Sequence, residues 1–134
     1  MTAFHKPPAE WTVELHDDFE AEFENLPTDI QDGLLAAARA VRLAGPKAGR
    51  PHVDTLNGSK HANMKELRFE GGKGNEEWRA AFAFDPLRRA VILVAGAKQG
   101  KNQRQFYKRL IADADRRFNK HLKSLSSQRF PRRK

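Results

Sequence analysis

Cysteine is absent from all 134 residues. That excludes a disulfide, a thiolate nucleophile and a cysteine-ligated zinc or iron–sulfur site. It fits a reducing cytoplasm, the compartment expected here. Long apolar runs are also lacking. The longest, Ala90–Ala97, has 8 residues counting its glycine, against about 20 for a membrane helix. The first thirty residues are rich in acids and show no apolar stretch of the signal-peptide kind. Metal-ligand spacing is missing as well. His5, His16, His52, His61 and His121 are scattered without an H-x-x-x-H pair, so no metal and no cofactor is expected. There is no G-x-S-x-G elbow. The run from Gly96 to Asn102 is one residue short of a phosphate loop and ends in Asn where Ser or Thr is needed.

Charge is present in quantity and is unevenly placed. Lys and Arg number 25 against 17 Asp and Glu, a net charge of +8. Residues 1–45 hold three basic residues against nine acids, net −6, and residues 46–134 hold 22 against 8, net +14. Such a basic half points to a polyanionic partner. With metal and thiol chemistry set aside, Arg, Lys, Glu, Tyr and His remain. RNA can be cut with these. Its 2′-OH is the nucleophile, arginines stabilise the charge gathering on the phosphate, and a Glu, Tyr, Lys or His moves the protons.

The hydrophobic pattern predicts one α+β domain. Glu10–Leu15 alternates as a strand. Asp17 or Asp18 caps a helix with Phe19, Phe23 and Leu26 on one stripe, stopped by Pro27. Thr28-Asp29-Ile30-Gln31 reads as a capping box opening a second helix, with Ile30, Leu34, Ala37, Ala38 and Val41 inward. A basic loop follows over 45–61. Three strands, Met64–Glu70, Glu77–Asp85 and Ala90–Lys98, form an antiparallel meander through short turns. A last helix carries Phe106, Leu110, Ala114, Phe118 and Leu122. The expected architecture is an N-terminal strand and helical hairpin packed on the meander, with a C-terminal helix. Residues 1–123 form the domain, and 124–134 form a basic, disordered tail.

Strand parity separates two sheet faces. Leu67 and Phe69 with Trp78, Phe82 and Phe84 point to the helices. Glu66, Arg68 and Arg79 point the other way, above small residues Ala81, Ala83 and Gly96, with Lys98 beside them; Ile92, Val94, Gly96 and Lys98 share one face of the last strand. This arrangement reads either as a phosphate-accepting groove or as a solvated face where Arg68 and Arg79 pair with Glu66 and Asp85.

Three segments carry a resemblance: Met64-Lys65-Glu66-Leu67-Arg68-Phe69, then Glu77-Trp78-Arg79-Ala80-Ala81-Phe82, then Val91 to Lys98 followed by a helix with Phe106-Tyr107. In this order the chain from Trp11 to Leu122 resembles the RelE/ParE superfamily of type II toxins, most closely its phage-derived, HigB-like branch. The resemblance implies a RelE-like fold and metal-independent, ribosome-dependent mRNA cleavage that inhibits translation. It also implies a cognate antitoxin, of helix-turn-helix type, and no membrane partner. The alternative within the superfamily is a ParE-like, non-catalytic inhibitor of DNA gyrase, or an inactive nucleic-acid-binding relative. By resemblance Arg68 and Arg79 are the phosphate-binding and transition-state cations, Lys98 the basic residue after the last strand, and Tyr107 the tyrosine near the scissile bond. Where RelE carries extra lysines this chain has Glu66, so Glu66, Tyr107 and His61 stand as alternatives for the general base. Lys60, His61, Lys65, Lys101 and Arg104 are the expected RNA-binding residues.

Overall fold

The computed structural model describes residues 10–98, 100 and 102–129. It is α+β, as the pattern predicts. In chain order the elements are β1 (Thr12–Leu15), α1 (Asp17–Glu24), α2 (Thr28–Ala44), β2 (Val53–Thr55), β3 (Met64–Gly71), β4 (Glu76–Phe84), β5 (Arg89–Ala97) and α3 (Gln103–Arg129). The sheet order is β1-β5-β4-β3-β2. The meander β3-β4-β5 is antiparallel, whereas β1 pairs with β5 in parallel and makes the sheet mixed. The helical hairpin lies between β1 and the meander in the chain; the next strand, β2, runs opposite to β1, and β3 then runs in the direction of β1. β2 is a three-residue edge strand inside the basic loop, too short to raise a periodicity signal.

Helix entry differs from the capping expected. The N-cap of α1 is His16, whose Nδ1 accepts from the Asp18 amide at 3.1 Å. Pro27 is the N-cap of α2 and Thr28 its first residue, without a side-chain cap. Gln31 instead turns back to α1, donating to the Phe23 and Leu26 carbonyls at 2.9 and 3.1 Å. It thereby ties the start of α2 to the end of α1, where the Phe23 carbonyl also accepts from the Leu26 amide at 3.0 Å.

Two cores sandwich the sheet. On one face Phe19, Ile30, Leu34 and Val41 pack against Leu67, Phe69, Phe82 and Ile92. On the other, Leu110, Ala114 and Phe118 of α3 pack against Met64, Ala81, Ala83, Val91 and Leu93. Burying each large side chain stabilises by about 1.5–3 kcal/mol. This second core corrects the expected groove. Ala81 and Ala83 are the seat of α3 rather than an open floor. A β-bulge corrects the grouping on β5: Phe82 pairs with Ile92 but Ala81 with Val94. Leu93 is the extra residue, and it and Val94 both face α3 while Ile92 faces α2. Arg117 meets this irregularity, donating to the Leu93 carbonyl at 2.7 Å and to Glu22 at 2.6 Å.

α3 continues to Arg129 rather than ending at Leu122. Ser124 to Arg129 contain no helix breaker, and the buried Leu125 extends the apolar stripe. The first six residues of the expected disordered tail are therefore helical. Residues 130–134 lie outside the described residues.

Candidate functional site

β3 and β4 place Arg68 directly opposite Arg79. Two like charges across a ladder repel unless something sits between them. That something is Glu66, two residues before Arg68 and on the same face. The residue is 4% exposed. Oε2 accepts from Arg68 Nε and Nη2 at 3.2 and 3.0 Å. Oε1 accepts from the Tyr107 hydroxyl at 2.8 Å and lies 3.7 Å from Arg79 Nε. Arg79, 6% exposed, also donates to the Trp78 carbonyl at 3.0 Å and to Glu77 at 3.3 Å. Its Nε has no hydrogen-bond partner among the described residues.

The first turns of α3 close the site. Asn102 caps the helix, its Oδ1 accepting from the Gln105 amide at 3.2 Å. Phe106 then covers Gly96, where an added Cβ would sit 3.1 Å from the ring. A glycine there lets Tyr107 settle over the sheet and reach Glu66. Lys98 Nζ stands 5.9 Å from the Tyr107 ring centroid. Burial raises the Tyr107 pKa, and its hydrogen bond to the Glu66 carboxylate raises it further while Arg79 opposes. The phenol therefore stays protonated at neutral pH. For Arg68, burial opposes the charge but the Glu66 hydrogen bond and the charges of Glu66 and Asp54 outweigh it, raising the pKa. Asp54 of β2 lies 3.3 Å from Arg68 Nη2 and pairs with Arg50 at 2.8 Å.

The structure thus joins Glu66, Arg68, Arg79, Tyr107 and Lys98. It does not join the others. His61 Nε2 bonds Asn119 at 2.9 Å, twelve residues or about 18 Å along α3 from Tyr107. That distance removes His61 from the candidate bases. Lys60, expected to bind RNA, lies next to it in the same loop, its amide bonded to Asp115 at 3.0 Å. Lys65 shares its strand parity with Leu67 and Phe69, the face opposite Glu66. Arg104 is exposed on the first turn of α3, near Tyr107 in sequence. Lys101 lies outside the described residues.

Asp85 is not a partner of Arg68 or Arg79. Its buried carboxylate organises the β4–β5 turn, accepting from the amides of Leu87 and Arg89 at 3.0 and 2.9 Å. It also meets the Arg89 guanidinium at 3.0 Å and His121 Nε2 at 2.8 Å. Burial alone would raise its pKa, but these bonds hold it below the usual carboxylate value. His16 and His121, 105 residues apart, come to 6.2 Å between ring centroids. Sequence reasoning had no signal for this pair, since neither histidine lies in a motif. Among the described residues no group of three or more His, Cys, Asp or Glu is placed to hold a metal ion. None of their helices is long and apolar enough to cross a membrane.

Comparison with known proteins gives a consistent relationship. Residues 21–119 match the model of the phage-derived protein Gp49-like family, a span containing every residue of the cluster. Two Mycobacterium tuberculosis proteins named as candidate toxins are similar. HigB2 is 40% identical over 124 residues, 92% of this chain and 60% of HigB2. HigB3 is 39% identical over 105 residues, 78% of this chain and 88% of HigB3. This chain therefore spans less than two thirds of HigB2 but most of HigB3. No solved structure matches it.

Proposed function

The chain belongs to the phage-derived Gp49-like family, and on that footing we propose that it is the toxin of a type II toxin–antitoxin pair that cuts mRNA on the ribosome. The observation that carries this reading is the buried carboxylate of Glu66, shared by Arg68, Arg79 and Tyr107. The relatives' names supply the word toxin. The cluster supplies the chemistry.

In this reading Arg68 is the first contact. Its side chain is 31% exposed, against 8% for Arg79. A scissile phosphate takes up its guanidinium, and Arg79 and Lys98 add positive charge as the phosphorane forms. Tyr107 stands between solvent and Glu66. The 2′-OH passes its proton to the phenol oxygen as the phenol proton moves to Glu66 Oε1 across 2.8 Å. The oxygen attacks phosphorus, the bond to the 5′-oxygen breaks, and Lys98 protonates the leaving oxygen. The products are a 2′,3′-cyclic phosphate and a 5′-hydroxyl.

Glu66 is the base and Tyr107 its relay. Proton transfer of this kind contributes about 10²–10⁴-fold, less than the whole reaction needs. Rate must then come from geometry. Holding the 2′-OH in line can lower a barrier by about 7–11 kcal/mol, and the ribosome supplies that alignment for mRNA. The net charge of +14 over residues 46–134 gives the protein a grip on ribosomal RNA. The antitoxin partner meets the same basic surface with acidic side chains. Incubating purified protein with one mRNA, with and without ribosomes, tests the reading. Cutting with ribosomes alone is expected. Efficient cutting of naked RNA would overturn the ribosome requirement, and intact RNA in both arms would overturn the nuclease.

A further inference from the structure

A cleft of about 550 Å³ opens beside the arginines, and the cleavage chemistry above does not use it. It exists because β2 is short. Its pairing with β3 begins at Val53 opposite Leu67, so the edge of β3 beyond Arg68 has no neighbouring strand. α2 borders the opening with the small residues Gly33, Ala36 and Ala37. Phe69 forms another wall, stacked on Trp78 at 6.0 Å between centroids and 30° between planes. Its polar border holds His52, Arg68 and Arg79 together with the acids Glu70 and Glu77. Glu70 is exposed, stands directly opposite Glu77, and has no hydrogen bond or ion pair to another side chain among the described residues. Like charges in that register repel; Glu77 is offset by Arg79 at 3.3 Å, whereas Glu70 has no cation of its own among the described residues. A carboxylate only accepts hydrogen bonds, so whatever relieves Glu70 must bring donors.

We propose that this cleft holds the base of the nucleotide whose phosphate meets Arg68, and that Glu70 selects guanine. Arg68 and Glu70 share a face two residues apart, about 7 Å along the strand. That is within the span from a nucleotide's phosphate to the edge of its base. Guanine carries two adjacent donors, N1–H and the exocyclic amine, which match the two oxygens of one carboxylate. Adenine pairs one donor with an acceptor, and uracil turns acceptor oxygens toward Glu70. Bases splayed from single-stranded RNA are recognised in this way, by their Watson–Crick edge. The assignment rests on the nuclease reading only for the role of Arg68.

The test therefore avoids cleavage. Purified full-length protein is titrated with GMP, AMP and UMP while backbone amide shifts are followed by NMR. GMP should move the amides of Gly33, Phe69 and Glu70, and should bind at least about fivefold more tightly than UMP, the low end of a bidentate base contact. Ala36→Leu, an exposed substitution that fills the cleft, should weaken GMP binding. Glu70→Gln should remove the preference for GMP over AMP. Equal affinities for the three nucleotides, no shifts at these amides, or unchanged GMP binding by Ala36→Leu would overturn the proposal. A failed nuclease reading shows itself differently, as uncut RNA alongside a successful GMP titration.

Discussion

Replacing Glu66 with alanine removes the one carboxylate that two arginines and a tyrosine share. Arg79 would keep the Trp78 carbonyl at 3.0 Å and Glu77 at 3.3 Å. It would lose its buried counter-charge while remaining 6% exposed. Removing one partner of a buried ion pair costs about 3–5 kcal/mol, because the remaining charge is poorly solvated. Glu77 is 54% exposed and recovers part of this, so the expected loss is about 2–4 kcal/mol. Arg79→Ala should cost less, about 1–3 kcal/mol, since Glu66 keeps both Arg68 hydrogen bonds and Tyr107. Reading Arg79 from sequence as a surface residue would predict under about 0.5 kcal/mol; its burial corrects that figure. The double variant should lose less than the two singles summed, by about 1–3 kcal/mol, because the residues share one network. Urea denaturation followed by circular dichroism measures all three. Additive losses, or a Glu66→Ala loss below about 1 kcal/mol, would refute the network.

Other outcomes follow from single features. Burial lowers the His16 pKa below 6.5, outweighing Asp18, so the unfolded chain binds the extra proton first and stability should fall as pH drops through and below 6.5. His16→Asn, which retains a cap, should flatten that slope in denaturation curves taken at several pH values. Gly45 has φ +59° and an added Cβ would overlap the Trp11 ring, so Gly45→Ala should lower stability by about 1–3 kcal/mol in the same assay. Tyr107→Phe keeps the ring and removes the proton relay, so purified protein should keep its melting temperature within a few degrees while ribosome-dependent cleavage falls by about 10²–10⁴.

The site was partly legible in the sequence because parity is a reliable rule within a regular strand. It put Glu66, Arg68 and Arg79 on one face, and the register agrees. It failed at Leu93, where a bulge shifts every later side chain of β5 and leaves no mark in composition. It also missed what covers that face. The stripe Leu110, Ala114 and Phe118 announced a buried helix, but an amphipathic stripe does not name its partner surface. β2 went unseen because Val53-Asp54-Thr55 is shorter than one period of evidence for alternation. Tyr107 and Glu66 were separate candidates. Their contact spans 41 residues and depends on the cover of Phe106 over Gly96, which no local pattern encodes.

The central claim is that this cluster cuts RNA, and Arg68 is the member to remove, because it is more exposed than Glu66 and Arg79 and its loss leaves Glu66 paired with Tyr107 and Arg79. Primer extension on RNA from cells induced for the wild-type chain or for Arg68→Ala, with folding of the variant checked by circular dichroism, is the most direct measurement. The account predicts new 5′ ends in mRNA with the wild-type chain and none with the folded variant. Undiminished cleavage by folded Arg68→Ala would contradict it.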